Sequence, residues 1–487
     1  MATTIEALPN ELLGSCFSHL SGNKPALNSL RLVSKRFYAA SSPFLVPEIT
    51  LKFTTQSFRD LETLATHPSF SRGIITVILD VGYYDPILAD SLRRFSEHNA
   101  SDMEQEIDIL ERTTNPYAVH RNKFKKGLHS ILIPIPKEWN NVNSDSFDPA
   151  TATKSQSLLI HAHEEYKRLY AGQQEVLGKD GWAQRMVTAL GKFPVLQGII
   201  ITDNDRRPRQ TIKTSWRDNH KTEEVTYNRC LRSSHWKGSF RTAIDTEPPV
   251  HIIPELFHSL AESSIRPRFF DLRVTVPFDL RCMRMSTAQL NAIRTSLSRA
   301  RKVYIWLQSW ARRGSLAENN DRPRDEMMAL CNFTSACFSS KHLSDLHLSM
   351  DNYPVFYQIP TVSLADIFSF PLPSTKNLAR LYLRNVPFKL NELRDFIESS
   401  QREGGNELQW LNMYSPWLLT GTWLKASKVL RGFGSMLEHF EFTFPRGAEF
   451  GDLRIRNKPS TRKFEDYVTG QTDVNPLEGW EPEEFEE

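Results

Sequence analysis

HLSDLHLSM, residues 342–350, places leucines at 343, 346 and 348. That order, in which the last two apolar residues alternate, suits a turn entering a short strand that buries one face. The pattern recurs along the chain. Before it come Ile74, Val77 and Leu79; Leu196, Ile199 and Ile201; Phe269, Leu272 and Val274; and Ala300, Val303 and Ile305. After it come Leu378, Leu381 and Leu383; Leu408, Leu411 and Met413; and Leu437, Phe440 and Phe442. PEITLKF, residues 47–53, adds an earlier strand through Ile49 and Leu51. Middle positions 303, 346, 381, 411 and 440 lie 43, 35, 30 and 29 residues apart, and helical patterns at 324–338, 361–370, 391–401 and 421–433 fill the intervals.

A strand and a helix recurring near 30 residues resemble a leucine-rich-repeat solenoid, in which each unit leaves an apolar face that only its neighbour covers. The units are irregular. Asn204 and Asp351 stand where typical repeats carry Asn or Cys, but most units lack it, so another α/β arrangement with the same alternation stays open. The expected fold class is α/β: a small N-terminal helical unit, then an irregular leucine-rich-repeat-like region over residues 47–470. Insertions are expected at about 82–190 and 203–250, because the middle positions there are 122 and 73 residues apart. Residues 471–487 read as an acidic, flexible tail.

The N-terminus follows a different rule. In LPNELLGSCFSHL, residues 8–20, Leu12, Leu13, Cys16, Phe17 and Leu20 make a helical stripe, with Pro9 at the first helical position and Glu11 in the first turn. In PALNSLRLVSKRFYAA, residues 25–40, Ala26, Leu27, Leu30, Val33 and Phe37 make a second stripe, with Leu32 on another side. Prolines 43 and 47 then break the pattern. Two short helices cannot cover this much apolar surface unaided.

These two blocks together resemble an F-box, which sets residues 1–46 apart as a domain. Leu8, Pro9, Glu11, Leu12, Leu13, Phe17, Leu20, Leu27, Leu30, Val33, Ser34, Lys35, Arg36 and Phe37 match the family pattern, with Phe37 where many members have Trp. The resemblance implies docking on the Skp-type adaptor of a cullin–RING ubiquitin ligase through Leu8, Pro9, Leu12, Leu13, Phe17, Leu27, Leu30, Val33 and Phe37. An F-box running into irregular leucine-rich repeats is similar to F-box proteins of filamentous fungi. The expected function is that of the substrate-recognition subunit of an SCF ligase, itself without catalysis, holding a target protein on the repeat region.

Composition fits that reading. The chain is 40% hydrophobic and 24% charged, enough for a packed core. A net charge of +3 does not by itself mark a nucleic-acid binder. Five scattered cysteines form no CxxC pair, and no signal peptide or spanning run is evident, so a cytoplasmic or nuclear location is expected. No cofactor is expected: GxGxxG, the P-loop and the GxSxG elbow are all missing. HAHEE, residues 161–165, puts His161 and Glu165 on one helix face but lacks the further ligands of a metal site, and reads as a solvated face.

Residues 203–241 carry ten Lys or Arg against five Asp or Glu, interleaved with aromatics. That composition could grip an acidic protein segment or nucleic acid, with Arg206, Arg207, Arg209, Trp216 and Trp236 as candidate contacts. The plainer reading is a solvated loop whose aromatics pack on the repeats. Two alternatives to the ligase reading stay open: an F-box scaffold acting outside ubiquitination, and a nucleic-acid or acidic-ligand scaffold using this basic insert.

Overall fold

The computed structural model describes residues 5–113, 134–142, 147–178, 181–203, 222–236, 248–275, 280–308, 323–351, 363–367, 377–402, 408–434, 436–451 and 460–481. Three short helices open the chain: α1 (Asn10–Ser18), α2 (Lys24–Arg31) and α3 (Lys35–Ser41). The stretch 25–40, expected as one helix, is thus two. Ser34 ends the continuity, because its side chain accepts the Phe37 N–H at 3.2 Å and caps a new helix.

Beyond them lies a mixed α/β body built on a parallel sheet of nine strands. These are β1 (Glu48–Lys52), β2 (Thr76–Asp80), β3 (Gly198–Thr202), β4 (Phe269–Thr275), β5 (Lys302–Gln308), β6 (Asp345–Asp351), β7 (Arg380–Arg384), β9 (Trp410–Tyr414) and β11 (His439–Thr443). They pair in chain order, each with the next. Val77, Ile199, Phe270, Val303, Leu346, Leu381, Leu411 and Phe440 stand in one register across eight strands, and all are buried. The expected third unit is therefore shifted by two residues. Phe270 rather than Leu272 aligns with Ile199, and Phe269 lies on the opposite face from Phe270. β4 is seven residues long, so Phe270, Leu272 and Val274 all reach the core and the pattern alone could not choose between two frames.

Helices carry the chain between strands: α4 (Thr55–Thr66) and, further on, α9 (Trp182–Leu190), α11 (Ile252–Glu262), α12 (Thr287–Ser296), α13 (Arg324–Cys337), α14 (Leu364–Ile367), α15 (Leu390–Arg402) and α16 (Trp423–Gly434); α17 (Thr461–Val468) follows the last strand. Their apolar faces join the inner face of the sheet in one continuous core. Of the helix expected at 361–370, the described part is Leu364–Ile367.

A three-stranded parallel sheet, β8 (Pro387–Lys389), β10 (Trp417–Thr420) and β12 (Arg446–Gly447), was not expected from the sequence. Each of its strands follows a residue at positive φ directly after a strand of the larger sheet: Asn385 (52°), Ser415 (51°) and Phe444 (52°). Asn accepts this conformation readily, whereas an aromatic residue is strained by it. Ladder bonds recur at the turn, from Asn385 N–H to Tyr414 O at 2.8 Å and from Ser415 N–H to Thr443 O at 2.6 Å.

The two insertions are not independent loops. Helices α5 (Pro86–Asp90), α6 (Leu92–Thr113), α7 (Pro134–Asn141), α8 (Lys154–Leu177) and α10 (Thr222–Cys230) share a separate core containing Leu88, Phe95, Trp139, Leu159, Tyr166 and Cys230. The tail expected to be flexible is partly docked. Asn475 and Leu477 are buried, Asn475 Nδ2 donates to Ser427 Oγ at 2.8 Å, and the Trp480 ring meets Phe450 at 5.2 Å. Apolar residues within the acidic run give it something to bury; residues 482–487 lie outside the described residues. Among the described residues, no helix is long and apolar enough to cross a membrane.

The first helices pack against the turn that leads into β2. Phe70 packs against their core, and Arg31 lies over the rings of Tyr38 (4.5 Å) and Phe70 (5.6 Å). Gly73 passes so close to Pro43 that a Cβ there would stand 1.7 Å from the Pro43 carbonyl oxygen. Gly73→Ala is expected to cost about 1–3 kcal/mol, read as a lower melting temperature together with faster proteolytic cleavage near residues 41–47; an unchanged melt and cleavage pattern would show that the contact does not constrain this junction.

Candidate functional site

The helices α1 to α3 bury a small core of Leu13, Phe17, Leu27, Phe37 and Leu45, with the Phe17 and Phe37 rings edge to face at 5.3 Å. Asn23 caps α2 by accepting the Ala26 N–H at 3.1 Å. Arg36 ties α3 to α1, donating from Nε to Asn10 Oδ1 at 2.8 Å and from Nη2 to the Leu8 carbonyl. This clamp sets the α2–α3 turn beside the first turn of α1.

The nine residues expected to face an adaptor divide into two groups. Leu13, Phe17, Leu27 and Phe37 are interior, because the three helices cover one another there. They shape the unit and are not open to a partner, which corrects their expected place among the adaptor contacts. Leu8 and Leu30 are half-buried, while Pro9, Leu12 and Val33 are exposed. Leu32, Ile5 and Tyr38 join the exposed set, and sequence reasoning missed them as site residues. Leu32 is 89% exposed, Val33 56% and Leu12 51%. Large apolar side chains this exposed on one small domain leave it with apolar surface to cover. The signal that could have found Leu32 is Ser34, whose capping role ends the helix and turns residues 32 and 33 outward.

The basic insert gives a different outcome. Arg206, Arg207, Arg209 and Trp216 lie outside the described residues. Trp236 contradicts its assignment as a target contact. It is buried, its Nε1 donates to the Val81 carbonyl at 2.9 Å, and its backbone N–H donates to the Asp203 carboxylate at 2.9 Å. That carboxylate also accepts the Thr275 N–H and hydroxyl. A large ring with its one donor satisfied inside the main core is an anchor for the returning chain.

HAHEE is only partly solvated. His163 is buried with a ring nitrogen 3.1 Å from the Leu88 carbonyl, and burial lowers its pKa. His161 stacks on Tyr227 at 5.3 Å, joining the two insertions. Among the described residues, no cluster of His, Cys, Asp and Glu could hold a metal. Trp423 is buried and donates to the Arg446 carbonyl at 3.0 Å, so it packs between units. Burial pushes the Cys230 thiol up to about 12 and also raises that of Cys337, leaving both as inert core groups.

The face of the large sheet opposite the main core holds a second candidate. Tyr304, His347 and Tyr382 stand side by side on β5, β6 and β7, with Arg273, Trp306, Ser349 and Arg384 in the next row. His347 lies 4.6 Å from the Trp306 ring and 3.8 Å from Tyr382. Arg273 sits 5.2 Å over Trp306, and Arg384 sits 4.9 Å over Tyr414. Burial, then the fields of Arg273 and Arg384, drive His347 down to about 3.

Residues 5–44 match the family model of the F-box domain, so the chain carries an F-box domain at its N-terminus. No curated protein matches the chain, and no solved structure does.

The low pKa of His347 has a measurable consequence. The unfolded chain takes up a proton near pH 6.5 that the folded chain refuses until about 3, so acidification through this window favours unfolding. His347→Phe is expected to lose less stability than the unaltered chain between pH 6.5 and about 4.5, as followed by denaturant midpoints. Parallel losses in both proteins would contradict a neutral, buried His347.

Proposed function

We propose that this protein is the substrate-recognition subunit of an SCF ubiquitin ligase. F-box domains typically dock on Skp-type adaptors, and the observation that carries the reading is the open apolar face around Pro9, Leu12, Leu32 and Val33 on a domain with that family match. Burying each such leucine or valine contributes about 1.5–3 kcal/mol, so several together can offset the cost of association. The parallel sheet with its near-30-residue spacing supports an irregular leucine-rich-repeat solenoid, of the kind joined to F-boxes in filamentous fungi, as the target-holding region. The protein itself performs no chemistry. It raises the local concentration of target lysines at the ubiquitin-charged enzyme. The packing of Phe70 and Gly73 against the F-box helices, with Arg31 of those helices over the Phe70 ring, favours this role, since a fixed junction helps to keep the target within reach.

Leu12→Asp with Leu32→Asp is expected to abolish capture by a Skp-type adaptor, and with it target ubiquitination by a reconstituted cullin complex, while the melting temperature holds. Phe17→Ala is expected instead to destabilise the F-box by about 3–5 kcal/mol and to lose capture through unfolding. Undiminished capture by the double variant would refute the docking face; capture without ubiquitination of any bound protein would favour a scaffold acting outside the ligase.

A further inference from the structure

The strands of the large sheet run parallel, so all of them begin at one edge. The turn leading into β2 packs Phe70 and Gly73 against the F-box helices, which places that domain at this edge. Arg31 lies over the Phe70 ring at 5.6 Å, so the exposed Leu32 and Val33 that follow it in sequence stand near the same edge. Apolar surface goes on from there. Ile75, just before β2, and Val195, in the turn before β3, are each 40% exposed. The two turns are joined where the Gln197 N–H donates to the Ile75 carbonyl at 2.8 Å.

Beyond β3 the edge becomes basic. Arg268 precedes β4, Arg299 and Arg301 precede β5, and Lys341 precedes β6; all four are exposed. Arg268 and Arg301 are neighbours, since the Arg301 N–H donates to the Arg268 carbonyl at 2.8 Å. Ser340 Oγ donates to the Ser298 and Ala300 carbonyls at 3.2 and 2.7 Å, which sets Lys341 beside Arg299. None of the four side chains has an ion pair among the described residues, and Asp345 lies 3.9 Å from Lys302 instead. The C-termini of α12 and α13 favour cations at Arg299 and Lys341, but that field falls off before Arg268 and Arg301. Like charges side by side destabilise the free chain, and an anion laid across them relieves it. With strands about 4.8 Å apart, β4 stands about 10 Å and β6 about 19 Å from β2. That span lies within a standard interface of about 800 Å² per partner.

We propose that Arg268, Arg299, Arg301 and Lys341 dock an acidic stretch of the same Skp-type adaptor that the F-box face holds. This rests on the ligase reading above. The sequence of surfaces along the edge, apolar and then charged, is that of an interface core and its rim. A nucleic acid would need rings for its bases to stack on, and among the described residues that lead into β2 to β6 no Phe, Tyr or Trp is exposed. The basic strip speeds and orients the encounter, while the apolar face holds the complex.

The test measures association and dissociation of the full chain on an immobilised Skp-type adaptor across a range of salt concentrations. Arg268→Glu with Arg301→Glu is expected to slow association about tenfold at low salt. The difference should close near about 1 M salt, where the Debye length is about 3 Å, and dissociation should change far less. Arg301→Glu alone sets a carboxylate beside Arg268, so its melting temperature should hold or rise while association slows; a merely structural Arg301 would lower the melt. Association equal to that of the unaltered chain at every salt concentration, or a deficit that persists undiminished near 1 M, would overturn the proposal. So would binding of single-stranded RNA that is tighter than adaptor binding and is lost in the double variant. Failure of the unaltered chain to bind the adaptor at all counts against the ligase reading and the strip together, whereas binding indifferent to charge reversal counts against the strip alone.

Discussion

The structure depends on one constraint: every strand of the large sheet must bury its apolar face against side chains supplied by its neighbour in the chain. The row from Val77 to Phe440 expresses it, eight apolar residues in one register with all of them out of water. A parallel sheet needs a crossover after each strand, and the helices that make those crossovers complete the same core. Stability is then shared along the sheet, whose strands and helices contribute to one continuous core. The outer face carries arginines, aromatics and a histidine that pack on one another.

The N-terminal domain solves a smaller problem with the same means. Leu13, Phe17, Leu27 and Phe37 are spent on holding three short helices together, which leaves Pro9, Leu12, Leu32 and Val33 outside. A domain of this size cannot both build a core and hide every apolar residue. The Arg36 clamp and the close passage of Gly73 past Pro43 then fix where the remaining apolar surface points relative to the sheet. The N-terminal domain is thus joined to the start of the sheet body by packing.

Much of this was legible in the sequence, for physical reasons. Strands such as Leu343–Leu346–Leu348 announce themselves because one face is buried and the spacing is short. The F-box helices are legible because two blocks agree in order. What was not legible has causes too. The frame of β4 was ambiguous because Phe270, Leu272 and Val274 all reach the core, and only the register across strands decides between two frames. The short strands β8, β10 and β12 depend on a positive φ at Asn385, Ser415 and Phe444, and three such different residues leave no common signature. Trp236 looked like a surface contact because its neighbours are basic, yet burial is decided by Val81 and Asp203, distant in sequence. The contact of His347 with Trp306 has no linear trace, since the two come from neighbouring strands over 40 residues apart in sequence.

The most direct test of the central claim is hydrogen–deuterium exchange of the full chain with and without a Skp-type adaptor. The account predicts new protection concentrated in residues 5–20 and 30–38, with the strands of the large sheet unchanged. Protection confined to the sheet, or no protection at all at saturating adaptor, would contradict it.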